Sequence, residues 1–69
     1  MSYWDIEINL EGNQHYTGKM PKTSPDQQTT DVIEWICRVP YPVFEDSETE
    51  YTVINSKKII HMSIKEVTE

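Results

Sequence analysis

A chain of 69 residues with one cysteine, two glycines and 12 acidic against 6 basic side chains has room for a single domain over 1–69 and for little chemistry. It can form neither an internal disulfide nor a cysteine-based zinc cluster, and it lacks the glycines of a phosphate-cradling loop. Its net charge of −6 disfavours nucleic acid as a direct partner, because that affinity comes largely from Lys and Arg neutralising phosphates.

A domain this small buries only about 60% of the surface that its unfolded chain exposes, so burial and conformational entropy nearly cancel. Disulfides, metals and association are the usual remedies, and association is the one left open here. The N-terminal stretch MSYWDIEINLEG carries neither a basic leader nor a long apolar run, which points to a soluble, cytoplasmic protein with no membrane contact. A lone cysteine agrees with a reducing compartment.

Residues 3–10, YWDIEINL, alternate Trp4, Ile6, Ile8 and Leu10 with polar neighbours, the period of a strand with one wet face. EGNQ supplies turn chemistry, and HYTGKM returns as a second strand that Gly18 weakens and Pro21 ends. Ser24-Pro25-Asp26-Gln27 then has the form of a helix start, and Val32, Ile33, Ile36 and Val39 gather on one side of a helix over 25–38. A shorter helix capped at Thr30 is the alternative, since Thr29 and Thr30 are mediocre helix formers. Pro40 and Pro42 stop the helix and send VPYPVFEDSETE into an extended segment and an acidic loop. YTVIN and IIHMSIKEV, rich in β-branched residues, read as two strands joined by a tight connection at SKK.

These elements predict an α+β, two-layer domain in which one helix covers an antiparallel four-stranded sheet, in the order ββαββ. The expected core is Trp4, Ile6, Ile8, Leu10, Val32, Ile33, Ile36, Ile60, Met62 and Ile64. Trp35 falls one position off the helical stripe, at its edge.

The titratable side chains offer no motif. His15 and His61 lie on separate predicted strands without ligand spacing, so each reads as a solvated or hydrogen-bonded strand histidine. Cys37 sits near a helix C-terminus, where the dipole opposes a thiolate, and reads as a small buried hydrophobe. The acids Glu45, Asp46, Glu48 and Glu50 fall in a wet loop that gives no reason for a raised pKa, and EDSETEY lacks the glycine and spacing of an EF-hand. No cofactor or metal is implied, and the chain has little volume for an enclosed pocket of about 300 Å³ or more. Catalysis is therefore not expected.

The expected function is a small acidic protein-binding or regulatory module, an inhibitor or accessory protein acting on a basic macromolecular surface. Its predicted partner-binding residues are Tyr41, Phe44, Glu45, Asp46, Glu48, Glu50 and Tyr51, with Tyr41 and Phe44 as incompletely covered anchors and the acids as steering charges. Two alternatives belong to other classes. One is a small nucleic-acid-binding domain using exposed aromatics such as Tyr3 or Tyr16, and the other is a minor structural subunit that forms a homo-oligomer through exposed strand edges.

Overall fold

The computed structural model describes residues 2–68, which form five strands and one α-helix. Strand β1 (Ser2–Leu10) follows its alternation: Trp4, Ile6 and Ile8 are fully buried while Asp5 and Glu7 are exposed. A three-residue turn leads into β2 (Gln14–Pro21), which pairs with β1 from Leu10↔Gln14 to Tyr3↔Pro21. Gly12 (φ 80°) and Asn13 (φ 59°) take the left-handed conformations that this turn requires, which glycine and asparagine tolerate best. Gly18 has its own reason within β2. The Tyr16 ring lies along the strand above it, where a Cβ would collide with the phenol.

The connection 22–28 is not helical. Ser24 makes a local turn instead, its Oγ accepting from the Asp26 N–H (3.2 Å) and its carbonyl from the Gln27 N–H (3.1 Å). That turn aims Gln27 inward, where Oε1 accepts from the buried Trp4 indole N–H (2.8 Å) and from the Thr23 N–H (3.1 Å). A buried indole needs such an acceptor, and meeting that need keeps 25–28 out of the helix. Helix α1 (Thr29–Arg38) starts at the next cap, where Asp31 accepts from the Gln28 N–H (2.8 Å). The helix thus corrects the longer predicted span and comes close to the shorter one. It ends at Val39, before the two prolines, and Val32 and Ile36 face the core.

Beyond the helix the predicted topology needs correction. Val43–Glu45 (β3) and Tyr51–Val53 (β4) form their own antiparallel hairpin, with Val43 opposite Val53, Phe44 opposite Thr52 and Glu45 opposite Tyr51. The pairing extends into the proline segment, whose Pro42 and Pro40 carbonyls accept from the Ile54 and Ser56 N–H groups (3.0 and 3.1 Å). Asn55 then caps a single 3₁₀ turn (Ser56–Lys58), which carries the chain across to β5 (Ile59–Thr68). β5 pairs antiparallel with β1, so the main sheet has three strands in the order β2-β1-β5. SKK therefore links two different sheets, and the four-stranded sheet is replaced by one of three strands and one of two.

The core contains Trp4, Ile6, Ile8, Val32 and Ile36, joined by Phe44 and Ile54, with Leu10, Tyr16, Met20, Ile59, Met62 and Ile64 packed around it. Ile60 departs from expectation because Asn9 faces His61 while Leu10 faces Ile59. Ile60 is the extra residue of that bulge and turns outward, and Ile59 takes its place against the core. Ile33 is 38% exposed on a flank of the helix. Cys37, expected inside, is also exposed, because it follows Ile36 onto the solvent side. No helix among the described residues is long and apolar enough to cross a membrane.

Candidate docking surface

The β3–β4 hairpin divides the predicted partner-binding residues between its two faces. Phe44 points inward and is only 3% exposed, its ring 5.0 Å from that of Tyr16 and 5.9 Å, edge-on, from that of Trp35. This corrects the expectation that Phe44 is an incompletely covered anchor. The prolines keep the segment out of the helix, but they do not keep it out of the core, and Pro42 is itself buried.

Period two then fixes the other face. With Phe44 inside, Val43 and Glu45 turn outward, and their partners Val53 and Tyr51 turn outward with them. Tyr41 (61% exposed), Val43 (49%), Tyr51 (60%) and Val53 (60%) are the exposed apolar residues of this hairpin and the segment leading into it. Val43 and Val53 were not among the predicted site residues. Three-residue strands carry no readable period, so Val43 and Val53 emerge only once the hairpin pairing places Phe44 inside.

The acids are not equivalent. Asp46 accepts hydrogen bonds from the Tyr16 hydroxyl (2.9 Å) and the Thr52 hydroxyl, and so ties the hairpin to β2. Burial, then that hydrogen bond, then the charge of Asp46 hold the Tyr16 phenol above the usual tyrosine range. Ser47 builds the turn, its Oγ accepting from the Thr49 and Glu50 N–H groups (3.3 and 3.1 Å). Glu45, Glu48 and Glu50 remain exposed. The ion pairs among the described residues are Lys22–Glu66 (2.9 Å) and Glu34–Arg38 (3.7 Å), so these three acids have no basic partner there.

Beside the patch, a groove of about 590 Å³ opens between the start of β2 and β4, with Val53 and Tyr16 among its lining residues. Its other side chains include His15, Gln14, Asn55 and Lys58, and none is a carboxylate that would serve as their acid–base partner. His15 bonds Asn9 through Nδ1 (2.7 Å), and His61 stands exposed on the far strand of the same row. Among the described residues no three His, Cys, Asp or Glu side chains converge as metal ligands. Compared with known proteins, the chain matches no family model, no curated protein and no solved structure.

Proposed function

We propose that this protein is a small, non-catalytic binding module that docks a basic protein surface on the outer face of its β3–β4 hairpin. The observation that carries the reading is the apolar group of Tyr41, Val43, Tyr51 and Val53, exposed on one hairpin and flanked by the unpaired acids Glu45, Glu48 and Glu50. Aromatic anchors surrounded by charge are typical of interface centres and rims. The hairpin is held from beneath by Phe44 and by the Tyr16–Asp46 bond, so the face is ordered before a partner arrives and little entropy remains to be lost on docking.

The outer face of the main sheet suits nucleic acid less well. Lys19 and Lys65 flank β1, but the strand between them presents Asp5 and Glu7, and carboxylates at the centre of the face repel phosphate. An exposed, lone Cys37 suits the reducing cytoplasm, where it has no pressure to oxidise onto another chain.

The test is parallel affinity capture from the source lysate with wild-type protein and a Tyr51→Ser/Val53→Ser variant. A basic protein retained by the first and lost from the second supports the reading. The same retained set with both baits removes the hairpin face from the interface.

A further inference from the structure

We infer that β5 is a self-pairing edge, through which two copies of this chain join their three-stranded sheets into one of six strands. This inference stands on β5 alone and does not depend on the hairpin surface.

Among the described residues β5 is the longest strand, and β1 is its sole hydrogen-bonded neighbour in the sheet. Its other side carries a row of backbone N–H and C=O groups with no strand against them, from the bulge at Ile60 to Thr68. A long edge of this kind is a template for a further strand unless proline, a very short length, covering structure, a bulge or charged side chains blunt it. β5 contains no proline, its bulge is confined to the Ile60 end, its charges Lys65 and Glu66 lie toward the other end, and its ladder with β1 is regular from His61 to Thr68.

The helix packs against β5 and the turn that leads into it, with one flank facing the same side. At about 100° per residue, Ile33 and Trp35 lie on opposite flanks of the Val32–Ile36 stripe. Trp35 packs against Phe44, and Phe44 in turn against Tyr16 of β2. The Trp35 flank thus looks toward β2, and the Ile33 flank, 38% exposed, looks toward the free edge of β5. Met62 and Ile64 are half-buried on the same face of the sheet.

The composition of β5 selects a second copy as the occupant, and it selects the register. Residues directly opposite in an antiparallel pair share a face, so a two-fold axis passes midway between the two copies of one residue of β5. With Ser63 on the axis, Met62 meets Ile64 of the other copy on the inner face and Lys65 meets His61 on the outer face, each twice. Ile60, already turned outward at the bulge, falls opposite Glu66, and Ile59 to Val67 overlap. Placing the axis at Ile64 sets the half-buried Met62, rather than the exposed Ile60, against Glu66. Placing it at Lys65 sets that lysine against its own mate.

The size is adequate for a weak, specific contact. An edge about 30 Å long on a molecule 18 Å across its thinnest axis covers about 500 Å² per copy, or about 1,000 Å² in total, the lower bound for a specific interface. A dimer that forms at micromolar concentrations and above is the expected strength.

Sedimentation velocity from about 10 μM to about 1 mM tests this directly, that range spanning weak association constants. The wild-type mass should rise with concentration from 8.1 kDa toward twice that value. Ser63→Lys keeps an acceptable neighbour within its own chain, since Glu7 lies opposite Ser63, but it sets lysine against lysine across the axis. It should weaken association by up to about fivefold, with an unchanged melting temperature at concentrations where both chains are monomeric. Ser63→Cys in a Cys37→Ser background should cross-link on mild oxidation, because directly opposed residues have the Cα spacing of a disulfide. A wild-type chain that stays monomeric to 1 mM overturns the inference and leaves the edge to a strand of another protein. A dimer that Ser63→Lys does not weaken, or that fails to cross-link, overturns the proposed pairing.

Discussion

Phe44→Ala separates a core residue from a docking anchor. The ring is 3% exposed and packs against Tyr16 and Trp35 at centroid distances of 5.0 and 5.9 Å. Removing a buried phenylalanine costs about 3–5 kcal/mol, and each aromatic pair adds about 0.5–1.5 kcal/mol beyond area burial. Domains are stable by about 0.05–0.15 kcal/mol per residue, which gives this chain roughly 3–10 kcal/mol in total. The variant should therefore lose most or all of its folded population. Phe44→Leu keeps part of the volume but loses both ring pairs, and should cost about 1–3 kcal/mol. Urea unfolding followed by tryptophan fluorescence reads both, since Trp35 packs edge-on against the Phe44 ring. By contrast, Tyr51→Ala removes a side chain 60% exposed and should stay within about 0.5 kcal/mol of wild type. A Phe44→Ala midpoint equal to that of Tyr51→Ala would refute the placement of Phe44 and with it the two faces assigned to the hairpin.

Gln27→Ala should cost about 1–3 kcal/mol, because it leaves the buried Trp4 indole N–H without its acceptor; a neutral urea midpoint would show that another group or solvent serves it. Tyr16 has a pKa raised on folding by burial and Asp46, so the protonated phenol is the form that the fold favours. That contribution is fully present below the ordinary tyrosine pKa and is lost as pH rises through the raised one. The urea midpoint should accordingly fall from pH 9 toward pH 11 in the wild type and fall less in Tyr16→Phe, and parallel pH profiles would remove the linkage. Replacing Glu45, Glu48 and Glu50 together by glutamine should leave stability within about 0.5 kcal/mol, since none has an ion pair. With a captured partner, the same variant should associate more slowly and with a flatter salt dependence, and an unchanged association rate at low salt would sink the steering role.

The elements most legible in the sequence were those whose own residues decide their structure. β1 alternates strictly and buries Trp4, Ile6 and Ile8, and Val32 and Ile36 share the helix stripe whatever lies opposite. What failed depended on distant partners. Ser24-Pro25-Asp26-Gln27 has the chemistry of a helix start, yet Gln27 is drawn away by a tryptophan 23 positions earlier. β3 has three residues, too few to display a period, and follows two prolines that argue against a ladder even though their carbonyls accept the hydrogen bonds that extend it. The outward turn of Ile60 follows from a register shift against Leu10, which appears only when β1 and β5 are laid side by side. On the candidate surface, the exposure of Tyr41, Tyr51, Glu45, Glu48 and Glu50 was legible from proline and charge, whereas the bonds of Asp46 to Tyr16 and Thr52 were not. Val43, Val53 and the burial of Phe44 required knowing that this segment is a hairpin.

The two surfaces are compatible because the sheet order keeps them apart. β3 approaches β2 through the Phe44–Tyr16 contact and the Tyr16–Asp46 bond, whereas the free edge belongs to β5 on the other side of β1. Edge pairing through β5, as inferred, would leave the outer hairpin face of each copy open and would give a particle with two identical candidate docking patches related by the two-fold axis. A partner that displays two basic sites at a matching separation would then bind by avidity, with its second contact made at the effective concentration that the dimer imposes. Ser63→Lys should lower the affinity for such a bivalent partner while leaving a monovalent one unaffected. Tyr51→Ser/Val53→Ser should weaken both, so the same two variants assign any observed loss of binding to the edge or to the hairpin.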